Sequence, residues 1–185
     1  MRLRAFATCG SSRGTCHDGG LDPVAGGPVS SGGIAPVSVA VHGRLVYVAN
    51  AGDGGSDYTG FTLNPGGRLR PLAGSTVALP DGSSPGDVLF NGDGTKLIGT
   101  RVNSSLIDSF TVGHRGVLTA APGSPFAAQG LGPFDARLGP GGATLWVVEA
   151  NAVAALAVAG GDLAELASSP TPLPAGATPF GIVVT

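Results

Sequence analysis

Proline returns along this chain at a nearly constant interval, with an apolar run close behind it each time. Pro36, Pro85, Pro133 and Pro179 stand 49, 48 and 46 residues apart, and each precedes two or three small or polar residues and then the apolar run. A second set of landmarks keeps the same phase. Phe61, Phe110 and Leu156 each open an apolar/polar alternation that reaches a Gly-rich turn and then Leu69, Leu118 and Leu163. A period in the forties built only from strand and turn signals is that of one β-propeller blade, a four-stranded antiparallel sheet stacked on its neighbours. The expected fold is therefore all-β: an incomplete β-propeller of about three four-stranded antiparallel blades, with partial blades at both ends.

The phase sets boundaries. Blades are expected at about 36–84, 85–132 and 133–178, and residues 179–185 open another and stop. Residues 21–33 read as the tail of a preceding blade, so the partial propeller covers 21–185. Residues 1–20 share nothing with the repeat and are expected to be disordered. Within the first blade, strands are expected at 37–41, 45–50 and 58–63, with the fourth somewhere in 68–79. Asn91-Gly92-Asp93-Gly94 and Gly139-Pro140-Gly141-Gly142 are hairpin turns between apolar runs. Aligning Leu45, Leu97 and Leu145 makes Ala49, Arg101 and Glu149 equivalent. Propellers close with roughly four to eight blades. Three blades leave bare terminal sheet faces, which predicts a part of a longer protein, a subunit that self-associates, or a truncated gene product.

Gly 33 and Pro 15 bring the chain near a disordered composition, but 42% hydrophobic residues in regular runs argue for turns between short strands. With 12% charged residues, a net charge of −2 and no basic stripe, nucleic acid is not an expected partner. No apolar run approaches the roughly 18 residues of a membrane helix, and the basic start lacks the apolar stretch of a signal peptide. The compartment stays open, cytoplasmic by default. Cys9 and Cys16 could pair or hold a metal with His17; two unpaired thiols are the plainer expectation. Neither a cofactor nor a metal site is expected.

An up-and-down blade puts its two-to-three loop and the blade-to-blade connection on one rim, where propeller loops carry function. Ser38, Asp87 and Asp135 come from the connections, and Asn50, Arg101, Asn103, Glu149 and Asn151 from the two-to-three loops. Arg101 and Glu149 end otherwise apolar strands, so they are expected either to pair across blades or to face a wet channel. Asp87 and Asp135 either cap backbone N–H groups or line that channel. His42 and His114 fall in turns of the opposite rim. Asp53-Gly-Gly-Ser-Asp57 is read as a Gly/Asp loop rather than a cation site.

Tyr47-Val48-Ala49-Asn50 ending a strand, Asn91 to Leu97 in a turn, Phe110-Thr-Val with Gly116-Val-Leu118, and Gly123-Ser-Pro-Phe126 together resemble the lactonase-type seven-bladed propellers, the 6-phosphogluconolactonase-like and carboxymuconate cyclase-like proteins with YVTN-type repeats. The resemblance covers about residues 21 to 185. It implies a parent that opens or closes the lactone ring of an acidic sugar or a muconolactone without a redox cofactor, a hydrolase or lactonising enzyme; this chain alone, with fewer than half of the seven blades, is expected to be inactive. The partner it implies is a small lactone or carboxylate. A base and a cation are then needed. The candidates are Arg101 as anion anchor, Glu149, Asp87 or Asp135 as base, and Asn50, Asn103, Asn151 and Ser38 as substrate contacts. A non-catalytic binding module is the alternative.

Overall fold

The computed structural model describes residues 1–8, 21–24 and 26–184. Cys9, Cys16 and His17 lie outside the described residues. Three five-stranded antiparallel sheets follow one another along the chain, each a blade. The first has Pro36–His42, Leu45–Asn50 and Asp57–Leu63, then an outer strand in two pieces, Leu69–Pro71 and Val77–Ala78. The second has Pro85–Phe90, Lys96–Arg101, Leu106–Val112, Leu118–Ala120 and Phe126–Ala127. The third has Ala136–Leu138, Thr144–Val148, Ala152–Ala159, Asp162–Glu165 and Thr171–Pro172. No α-helix occurs among the described residues.

The outer strand breaks at a repeated position for a local reason. The Ser75 hydroxyl accepts the Gly60 N–H at 3.0 Å, Ser124 accepts that of Ser109 at 2.9 Å, and Ser169 accepts that of Ala155 at 2.8 Å. A side-chain oxygen thus fills the gap between the two pieces and leaves no orphan amide in strand three.

The core lies between blades. Tyr47, Tyr58, Leu97 and Phe110 fill the first joint, and Ile98, Ile107, Leu145 and Leu156 the second. Tyr58 meets Phe110 edge-on with centroids 5.8 Å apart, and Tyr47 meets Phe90 at 6.2 Å. Such pairs add about 0.5–1.5 kcal/mol each beyond their burial. The Tyr58 ring lies over Gly99, where any Cβ would collide with it.

Two expectations change. Residues 2–8, expected to be disordered, hold strands: Arg2–Leu3 pairs with Val29–Ser30 and Phe6–Thr8 with Leu21–Pro23. This is the two-piece outer strand seen in each blade, so residues 2–8 are strand three of a preceding blade and Phe6 matches Phe61, Phe110 and Leu156. Twelve residues separate Thr8 from Leu21 in the sequence where five separate Leu63 from Leu69, and this hid the repeat. The alignment also moves by one residue in the first blade. Val46 faces Phe61 as Leu97 faces Phe110 and Leu145 faces Leu156. Asn50, not Ala49, is therefore the equivalent of Arg101 and Glu149. The two-residue turn Gly43-Arg44 is shorter than its counterparts, so a count from Leu45 slips by one.

Positions buried inside the arc are bare at its ends. Phe6 is 49% exposed where Phe61 is 1%, and Val39 is 51% exposed where Val88 is 3%. Trp146, matching the buried Tyr47 and Ile98, is 36% exposed.

Candidate functional site

The inner strands of the three blades, with their turns, enclose an open cleft of about 850 Å³. Ser38, Asp87 and Arg137 line one part of it, and His42, Phe90, Asn91 and Asp93 another. Strand one is the innermost of each sheet and pairs on one side only, so its other side addresses the next blade.

A repeated polar contact joins the inner strands. The Ser38 hydroxyl accepts the Val88 N–H at 3.3 Å, Asp87 accepts the Ala136 N–H at 3.2 Å, and Asp135 accepts the Ile182 N–H at 2.9 Å. Ser38, Asp87 and Asp135 are equivalent, as are Val88, Ala136 and Ile182. Each blade therefore fastens the next blade's inner strand through one side chain. This is the backbone capping anticipated for the two aspartates.

Arg137 stands among these groups. Its Nη1 donates to Asp87 Oδ2 at 2.9 Å, to the Ala136 carbonyl at 2.6 Å, and lies 2.6 Å from Asp135 Oδ1. Among the described residues nothing bonds its Nε or Nη2, and the side chain is 47% exposed. The Asp87 carboxylate also receives the Ser38 hydroxyl at 2.5 Å and the Val88 N–H at 2.9 Å. Burial raises the Asp87 carboxyl above its ordinary value, against the lowering by bonds from Ser38 and Ala136. A carboxylate offers about four lone-pair sites. Asp87 has all four engaged, whereas Asp135 accepts one hydrogen bond, from Ile182, with the Arg137 guanidinium beside it as a counter-charge.

The remaining sequence-named residues lie elsewhere. Arg101 does not pair with Glu149. It grips Asp108 through two bonds of 2.7 and 2.5 Å, and Asp108 takes the Tyr58 hydroxyl at 3.0 Å from the neighbouring blade. Burial, the Asp108 charge and its hydrogen bond together push the Tyr58 hydroxyl well above its usual value. Glu149 is 1% exposed; one oxygen accepts the Gly130 N–H at 3.1 Å and the other has no partner among the described residues. Burial raises its carboxyl as well. Asn50 is buried against Asp57 at 2.7 Å. Asn151 is exposed at a smaller cavity of about 370 Å³ with Gln129 and Leu131, and Asn103 is exposed on its loop. None of these lines the cleft. His42 ends strand one rather than sitting in a turn, and its ring lies 5.9 Å from that of Phe90 on the cleft wall. No cluster of three metal-ligating side chains occurs among the described residues.

Arg137 escaped the sequence reading, yet a signal was there. It lies two residues past Asp135, so strand alternation puts both on one face. Asp108 had a similar signal: Arg101 faces Leu106, and a residue two along shares its side of the sheet.

No protein-family model and no curated protein sequence matches this chain. Solved structures do. A candidate 6-phosphogluconolactonase from Bacteroides uniformis superposes with a TM-score of 0.73 at 21% identity, over 92% of this chain and 50% of its own. The periplasmic gluconolactonase PpgL of Pseudomonas aeruginosa gives 0.66 at 20% identity, over 83% and 44%. A Lactobacillus plantarum protein gives 0.70 at 19% identity, over 84% and 47%. The chain thus has the lactonase-type propeller fold and spans about half the length of the structures it matches.

Proposed function

We propose that this chain is a fragment of a lactonase-like propeller and that its inner cleft binds a small lactone and opens or closes the ring. The carrying observation is Arg137. Its Nη1 is held by two carboxylates, while Nε and Nη2 have no partner among the described residues and the half-exposed side chain lines the cleft; these two donors form the fork that grips a carbonyl or carboxylate oxygen pair. In hydrolysis, the oxygen of a water molecule bonds to the lactone carbonyl carbon and Asp135 takes the released proton. Arg137 stabilises the resulting oxyanion. The ring C–O bond then breaks, and the proton passes to the ring oxygen to give the open hydroxy acid. Asp135 serves as base in preference to Asp87 because fewer of its lone pairs are engaged. Ser38 positions Asp87, which in turn fixes Arg137. The acidic sugar lactone or muconolactone implied by the resemblance remains the starting expectation for the substrate. Arg101 and Glu149 have no part in this mechanism.

A non-catalytic binding module is the second reading, because the staple role of Ser38, Asp87 and Asp135 needs no chemistry. Arg137→Ala separates the two. In the first reading it abolishes lactone turnover, as does Arg137→Lys, which keeps a cation beside Asp87 and Asp135 without the fork and so holds the unfolding midpoint. Equal turnover in parent and variant overturns it, and binding without turnover in the parent favours the module.

Self-association belongs to the same reading. Val39 and Val41, 51% and 59% exposed at one end of the arc, and Trp146 at the other offer apolar faces that a second copy would cover.

A further inference from the structure

The charge of the cleft bears on which lactone it takes, and this inference rests on the reading above. Asp87 and Asp93 line the cleft, Asp135 borders it through Arg137, and Arg137 is the one cation of this group. The remaining ionisable group of the lining is the His42 imidazole. Arg137 is already matched by two carboxylates at 2.9 and 2.6 Å. Its free Nε and Nη2 can donate hydrogen bonds but bring no surplus positive charge. Three carboxylates against one guanidinium leave the wall formally negative.

We propose that the ligand is an uncharged lactone, and that the wall discriminates against anions: phosphorylated or carboxylated sugar lactones on the way in, and the hydroxy-acid product once it forms. Hydrolysis of an uncharged lactone creates a carboxylate beside Asp87 and Asp135. The same electrostatics that admit the substrate therefore expel the product. This replaces the acidic substrate expected from the resemblance with an uncharged one, because an acidic ligand needs a surplus cation that the cleft lacks. Repulsion between single charges a few ångströms apart and fully solvated, as in an open cleft, is worth about five- to tenfold in binding and weakens with salt.

The test is calorimetric binding of gluconolactone, its 6-phosphate ester and gluconate to the full chain at low and high salt, with turnover of both lactones measured alongside. Gluconolactone is expected to bind about five- to tenfold more tightly than either anion at low salt, with the gap narrowing as salt rises. Asp93→Asn is expected to tighten gluconate relative to gluconolactone by about two- to threefold. Tighter binding of the phosphate ester, or no binding of any of the three, overturns the inference. Preferred turnover of the phosphate ester refutes it while leaving lactone chemistry intact. Binding of gluconolactone without turnover refutes the enzymatic reading and leaves the preference for uncharged ligands standing.

Discussion

Glu149→Gln is expected to stabilise the protein, and only above the pH at which the carboxyl ionises. Glu149 is 1% exposed, with one oxygen on the Gly130 N–H and the other unpartnered. Ala154 stands where the second blade has Asp108, and Glu165 adds a charge of the same sign. Burial therefore raises the carboxyl in the folded protein above the roughly 4.3 of an unfolded chain. The fold then holds a proton that the unfolded chain has released. The stability present below the unfolded value is lost as pH climbs through the folded one. Gln keeps the shape and the Gly130 bond and never ionises. Each unit of raise is worth about 1.4 kcal/mol, and a buried group without a partner costs about 1–3 kcal/mol. A gap of about 2 kcal/mol is expected at pH 8, closing to nothing near pH 4. Urea unfolding followed by Trp146 fluorescence at several pH values reads this directly, as a midpoint shift of about 1 M. A gap of constant size at every pH, or a variant weaker at pH 8, refutes the reasoning.

Other changes probe the joints and the ends. Arg101→Ala leaves the Asp108 carboxylate buried and unpaired, and a loss of about 3–5 kcal/mol is expected in the same urea assay; a loss under 1 kcal/mol contradicts the buried pair. Gly130→Ala drives a Cβ into the Glu149 carboxylate. It should lose about 1–3 kcal/mol, with most of the loss recovered when Glu149→Ala is added, as a double-mutant cycle would show. Val39→Asp with Val41→Asp puts charge on the bare end face and should shift the chain toward monomer in sedimentation velocity. An unchanged distribution removes that face from self-association.

The repeat period was legible because turn glycines and prolines punctuate every blade, and because strand two, buried on both faces, reads as a continuous apolar run. The preceding half-blade was not legible. Phe6 carries the same mark as Phe61 and Phe110, but the longer stretch of sequence between Thr8 and Leu21 puts it out of phase. The site was half legible. Ser38, Asp87 and Asp135 could be found because the connection repeats in step. Arg101 and Glu149 looked like channel residues because a charge closing an apolar strand signals a polar destination. Sequence alone does not reveal whether that destination is water or a buried partner. For Arg101 it is Asp108, seven residues away and across a hairpin. Arg137 was passed over because its strand is short and its importance comes from two carboxylates contributed by different blades.

The joint between inner strands can be read from amide hydrogen exchange at Val88, Ala136 and Ile182. Their N–H groups point to the side chains of Ser38, Asp87 and Asp135 on the preceding inner strand. Stacked blades in this register predict that all three amides exchange slowly, and that Asp135→Asn speeds Ile182 most. Exchange at the rate of an open chain at all three positions would mean that the inner strands do not stand side by side, and that no common cleft exists.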